Sequence, residues 1–174
     1  MPVVPFESLP ESARAWVFAS DRPLAPHAVA RLLPEVERFL ELWRAHGVEL
    51  RSAYAWRDDR FLLIGVDESA TGASGCSIDG LFRGLRALEP ELGASLVGGG
   101  RVYYRNRTGA VESVTRDEFS ALASSGAVSG DTTVFDTSLT TVGDVRRRFE
   151  TTAGRSWHAQ LVPAASLASR DASA

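Results

Sequence analysis

The sequence predicts an α+β protein. Short apolar runs of strand length alternate with longer runs at helical spacing through the first hundred residues. Two of the strand-like runs, Leu50 to Arg57 and Arg60 to Val66, flank Asp58-Asp59, as the arms of a hairpin would. The last third changes character, with short extended pieces around one well-capped helix. The chain has 174 residues, 44% hydrophobic and 24% charged. That is ordinary for a globular protein and enough to bury one core, or two small ones.

In chain order, Ala15-Trp16-Val17-Phe18-Ala19 reads as a strand ended by the turn formers Ser20-Asp21-Arg22-Pro23. Pro26 suits a first helical turn, and Val29, Leu32, Leu33, Val36, Phe39, Leu40 and Trp43 recur at helical spacing. Pro34 is expected to kink or restart that helix, and Gly47, after His46, to end it. The hairpin follows, then a helix from about Ser77 to Leu88 carrying Ile78, Leu81, Phe82 and Leu85, with Pro90 as its stop. Gly98-Gly99-Gly100 leads into a strand, Arg101 to Tyr104. The order β-α-β-β-α-β matches a ferredoxin-like sandwich.

Beyond it, Val102-Tyr103-Tyr104 and Ala110 to Val114 form a hairpin around Thr108-Gly109. Thr115 is a good N-cap, with Glu118 three residues on to complete a capping box. Phe119, Leu122 and Ala123 make the helix's apolar face, Gly126 ends it, and Val128 and Val134-Phe135 are short extended pieces. The expected organisation is an α+β body over residues 1–100, a small α+β module over 101–162 and a disordered tail over 163–174, which is short and rich in small residues.

Composition excludes several chemistries. All 19 basic residues are arginine. Without lysine there is no Schiff base, no lysine general base and no phosphate-loop lysine, which removes ordinary nucleotide triphosphatases. The net charge of -3 gives no footprint for nucleic acid or an acidic membrane. Arg146-Arg147-Arg148, flanked by Asp144 and Glu150, reads as a solvated helix face. One cysteine permits no internal disulfide and no thiolate-rich zinc site, and no His-x-x-x-His or Cys-x-x-Cys spacing exists. The N-terminal residues lack the pattern of a signal peptide and no apolar run is long enough to span a bilayer, so the cytoplasm is the expected compartment.

The candidate site is Ala73-Ser74-Gly75-Cys76-Ser77-Ile78-Asp79, a small-residue loop between an apolar strand and an amphipathic helix. A thiol at a helix start has its thiolate favoured by the dipole and by free backbone N–H groups. Cys76 is the nucleophile to consider, with His158 or His46 as base and Asp79 to orient it. Ser74, Gly75, Ser77 and Trp157 are candidate ligand-binding residues, the first three through a backbone anion cradle. Each has a plainer reading. A lone cysteine among small residues is often a buried small hydrophobe. An acidic residue early in a helix answers the dipole, and His158 beside Trp157 can simply be packed. The cysteine-phosphatase pattern C-x5-R fails by one residue, since Phe82 precedes Arg83. Asp58-Asp59 and Asp67-Glu68 are carboxylate pairs, but adjacent strand residues point to opposite faces. The tryptophans at 16, 43, 56 and 157 are expected in the core.

Two resemblances bear on these residues. Pro5-Phe6-Glu7, Leu9-Pro10, Trp43-x-Ala45-His46-Gly47, Ala73 to Asp79 and Ser156-Trp157-His158 together resemble an uncharacterised family of small bacterial proteins. That family is common in the Bacteroidetes and often labelled "ABC transporter ATPase", a label this lysine-free chain does not support. The resemblance runs to about Leu161 and implies a cytoplasmic protein of unknown function. More locally, Tyr103-Tyr104, Gly109, Val114, Phe119, Leu122, Gly126-x-Val128 and Asp131-Thr132-x-Val134-Phe135 resemble a bacterial GYF-like domain. This implies protein or peptide contact, although Phe135 stands where tryptophan is usual and the Gly-Pro dipeptide is missing. The expected function is binding of a protein or small molecule, with no cofactor, metal, nucleic acid or membrane. The alternative is a cysteine-dependent transferase or hydrolase built on Cys76.

Overall fold

The computed structural model describes residues 3–45, 48–69 and 75–167. The chain divides into two units, residues 1–98 with 137–147 and residues 99–136 with 148–174. Both combine antiparallel strands with helices, the class the sequence predicts.

In the first unit a 3-10 turn, Phe6–Ser8, precedes β1 (Arg14–Ala19) and α1 (Pro26–Leu42). A two-residue pair, β2 (Arg44–Ala45) and β3 (Val48–Glu49), leads to β4 (Arg51–Arg57), β5 (Phe61–Asp67) and α2 (Gly75–Leu92). β5 lies between β1 and β4, antiparallel to both, with Ile64 opposite Trp16 and Tyr54. Its run from Phe61 to Val66 is buried throughout, which is why it reads as continuously apolar. On one face Phe18, Leu62, Ile64 and Val66 pack with Leu32, Val36 and Leu40 of α1 and Leu81 and Leu85 of α2. Trp16, Trp43 and Trp56 belong to the same core. On the other face the chain crosses Gly65 so closely that a Cβ there would stand 2.5 Å from Leu9 Cδ1 and 3.0 Å from Val142 Cγ2.

Three local expectations change, and the hairpin forms as expected. α1 runs through Pro34 without restarting, because Pro34 sits on the solvent side while Ala28, Leu32, Val36 and Leu40 carry the buried stripe. α1 stops at Leu42, with the Trp43 N–H donating to Leu40 C=O, so its C-terminal dipole is not at His46. His46 and Gly47 lie outside the described residues. α2 also passes its proline, Pro90, and ends before Gly93, whose φ of +64° suits a helix-terminating glycine. The Glu89 carboxylate takes the N–H groups of Leu96 and Val97 and the hydroxyl of Ser95, folding the exit back. In the hairpin, Asp58 and Asp59 take φ +52° and +50° without a glycine, and the Arg60 N–H donates to Arg57 C=O. Aspartate is one of the few residues that tolerate this primed turn.

Residues 137–147 return to the first unit along β1. The Ala15 N–H donates to Thr140 C=O, the Val142 N–H donates to Ala13 C=O, and Thr141 bridges Arg14. The arginine cluster expected as a mere solvated face ties down the N-terminal segment. Arg146 donates to the carbonyls of Phe6 (2.7 Å) and Leu9 (2.9 Å), and Arg147 pairs with Glu11 at 2.7 Å.

The second unit holds β6 (Arg101–Arg105), β7 (Val111–Thr115), α3 (Arg116–Ser124) and β8 (Thr133–Phe135). Helix α4 (Val142–Arg148) ends in it, followed by β9 (Glu150–Thr152), two 3-10 turns and α5 (Ala164–Leu167). The sheet order is β7-β6-β8-β9. β6, the expected fourth strand of the first sheet, instead pairs here, with Val102 opposite Val114 and Tyr103 opposite Phe135. Val102 and Tyr104 thereby meet Phe119 and Val134 in a core of their own. The capping box forms as expected: the Glu118 N–H donates to Thr115 Oγ1 (3.2 Å) and the Thr115 N–H to Glu118 Oε2 (2.7 Å). The tail is ordered further than expected, since the Gly130 N–H donates to Ser166 C=O and Leu167 packs beside Gly130. Residues 168–174 lie outside the described residues.

Candidate functional site

The helix start predicted at Cys76 exists. α2 begins at Gly75, so Gly75, Cys76 and Ser77 occupy its first turn. Ser74, like His46, lies outside the described residues, as do the side chains of Cys76 and Ser77. Asp79 falls in the second turn, where it is exposed.

His158 belongs to the second unit, in the 3-10 turn Trp157–Leu161. Its ring is fully buried, at 0% exposure. It stacks on Trp157 with centroids 3.9 Å apart and an interplanar angle of 26°, and meets Phe119 edge-on at 6.3 Å. Nδ1 lies 2.8 Å from Ser156 Oγ, which also donates to Ala153 C=O, while Nε2 has no hydrogen-bond partner among the described residues. Burial pushes the imidazole down to about 4, opposed by the charge of Asp136 and helped by that of Arg116. The ring is therefore neutral at pH 7 and, in this conformation, out of reach of a solute. Trp157 is half-buried, its other neighbour being the Arg116 guanidinium, 4.9 Å from the ring centroid. His27, at the start of α1, is exposed.

The carboxylate pairs do structural work. Asp58 and Asp59 form the hairpin turn. Asp67 accepts the Ser69 N–H at 3.0 Å, which holds its carboxyl below the usual range, and Glu68 reaches Arg14 at 3.7 Å. Among the described residues no group of three His, Cys, Asp or Glu side chains is placed to hold a metal ion. No described helix is long and apolar enough to cross a membrane.

What the sequence did not disclose are the surface concavities. One of about 430 Å³ lies on the second unit, lined by Tyr104, Arg105 to Thr108, Ala127, Val128 and Thr132. The Asn106 side-chain oxygen, Oδ1, shapes its rim by taking the N–H groups of Thr108 and Ala110 and the Thr108 hydroxyl. Burial, and then the charge of Glu112, push the Tyr104 phenol above its ordinary value, so it stays a neutral donor. Another, of about 260 Å³, runs between α1 and α2 over Val36, Phe39, Leu81, Leu85 and Leu88. A third, of about 410 Å³, lies beside β4. The asparagine and glycine of the Asn106–Gly109 turn were visible signals for the first. The helical faces signalled the second only as core. No family model, curated protein or solved structure matches this chain.

Proposed function

We propose that the protein acts by binding, with the second unit a GYF-like module that contacts peptides. One observation carries this: Tyr104, Val128 and Thr132, three of the residues in that resemblance, line one open groove. An aromatic with a neutral hydroxyl, apolar Ala127 and Val128 and the exposed Arg107 offer the few convergent polar groups on an apolar wall that a peptide site uses. The first unit is read as a ferredoxin-like sheet in which Thr140–Val142 stands beside β1 in place of a fourth strand. The order β1-β5-β4 and the packing of α1 and α2 on one face support that reading.

The test is selection of a phage-displayed random peptide library on the full chain. Enriched peptides are expected to bind Tyr104→Ala about tenfold more weakly or worse. Enrichment of nothing, or of peptides indifferent to Tyr104, overturns the reading. The cysteine-enzyme reading rests on the place of Cys76 in the first turn of α2. It predicts that iodoacetamide alkylates the folded protein with a thiol pKa below that of the denatured chain, whereas the binding reading expects reaction only after unfolding.

A further inference from the structure

Residues 154–166 form a loop whose two ends meet at Gly130. The Gly154 N–H donates to Gly130 C=O at 2.8 Å, and the Gly130 N–H donates to Ser166 C=O at 3.3 Å. The approach is close: a Cβ on Gly130 would stand 3.3 Å from Leu167 Cα, and one on Gly154 would stand 3.2 Å from the Gly130 carbonyl oxygen. Between these anchors the hydrogen bonds are local. The N–H groups of Ser156, Ala159 and Val162 donate to the carbonyls of Ala153, Ser156 and Ala159, and the Ser156 hydroxyl lies between Ala153 C=O and His158 Nδ1. No hydrogen bond of residues 155–164 reaches a described residue outside 153–166. Side chains alone hold the loop down: His158 and Val162 are buried, and Trp157 and Leu161 partly so, in the cluster built on Val102, Phe119 and Val134.

The side chain at the centre of that attachment is the one that mild acid charges. An imidazolium carries N–H on both nitrogens, and the one on Nε2 would meet no acceptor. Of the charges around the ring, Asp136, just after β8, favours the imidazolium and Arg116 of α3 opposes it. Asp117 of α3 and Arg155 of the 3-10 turn Ala153–Arg155 are exposed, and Glu118 is spent on the Thr115 N–H. Burial outweighs Asp136, so the enclosed ring titrates at about 4, whereas a solvated one charges at about 6.5.

We propose that residues 155–165 are an acid-released strap: protonation of His158 detaches the segment from α3 as one piece, with Gly130 as its hinge, while the sheet β7-β6-β8-β9 keeps its pairing. Opening gives the imidazolium to water at the cost of side-chain contacts, since the local hydrogen bonds travel with the segment. The sheet has its own ladders, and Phe119 keeps its contact with Tyr104, centroids 5.6 Å apart, so neither needs the strap. Release bares the side of Phe119 that His158 covers, an apolar surface closed off at neutral pH. Compact loops with joined ends are a common form for such independently opening segments. The strap is inferred without the peptide reading and stands or falls apart from it.

Amide hydrogen exchange of the full chain, read residue by residue by NMR between pH 7 and 5 and corrected for intrinsic rates, tests the proposal. The Ala159 and Val162 amides should be less protected than those of β6 at every pH, and their protection should fall about twentyfold from pH 7 to 5. His158→Gln should remove that fall, and His27→Gln, which changes an exposed histidine at the start of α1, should leave it intact. Strap and β6 amides with equal protection would mean that the segment leaves only with the whole unit, which overturns the proposal. Strap protection that does not change with pH, or that falls as steeply in His158→Gln, overturns it too. Should His158→Gln not fold, the order and the pH dependence of protection in the unaltered chain decide.

Discussion

The two units bury different chemistry. The first fills its core with aliphatic side chains and three tryptophans, and its buried polar residues, Ser20, Ser52 and Arg60, do not titrate near neutrality. The second encloses an imidazole, stacked on Trp157 and facing Phe119, with Asp136 also buried. A core built from aliphatic groups is indifferent to mild acid, whereas one closed over a neutral histidine is stable only while that ring stays uncharged. Stability against pH should therefore divide along the boundary between the units.

The largest effect expected is from Phe119→Ala, which opens a cavity under Tyr104 and His158 and should cost about 3–5 kcal/mol. Exchange protection should fall in β6 and remain in β5. Loss in both together would show that the units do not unfold separately.

Next comes the imidazole itself. At pH 7 it is neutral folded and nearly so unfolded. As pH drops through 6.5 the unfolded chain takes up a proton that the folded ring, titrating at about 4, does not. Stability is lost over that window, by about 3 kcal/mol in all, and then levels off. Denaturant midpoints measured between pH 7 and 4 should show the slope, and His158→Gln should flatten it. A slope unchanged in that variant would locate the acid sensitivity elsewhere.

Gly65→Ala probes the first unit, where the new methyl would strike Leu9 and Val142. A loss of about 1–3 kcal/mol, independent of pH, is expected by chemical denaturation. The smallest effect is Thr115→Ala, which removes half the capping box of α3 and should cost about 1 kcal/mol, read as a lower melting temperature.

The legible parts of the fold are those written in local patterns. Helical spacing marked α1 and α2, the apolar run marked β5, and Thr115 with Glu118 marked the start of α3, since each depends on neighbours a few residues away. Both prolines misled for one reason: a helix tolerates proline where its ring faces solvent and packing holds the remaining turns, and Pro34 and Pro90 are exposed. The hairpin of β6 with β7 was legible from the turn at Thr108-Gly109, but its other neighbour, β8, was not, because an apolar strand carries no mark of which sheet it joins. Of the candidate site, the helix start at Cys76 was readable from composition, but the burial of His158 depended on Phe119, thirty-nine residues earlier. Arg146 looked solvated because its acceptors, the carbonyls of Phe6 and Leu9, lie at the far end of the chain.

The return of residues 137–147 to β1 has a bearing on how the protein is made. On a ribosome β1, β4 and β5 emerge first, yet Val142 and Arg146, which close over Gly65 and hold the N-terminal segment, appear only after β6, β7, α3 and β8. The second sheet in turn waits for β9 and His158. Neither unit is complete at any earlier stop, so a nascent chain halted at Asp136 would carry two unfinished cores at once and be a substrate for chaperones or proteases rather than a folded half-protein.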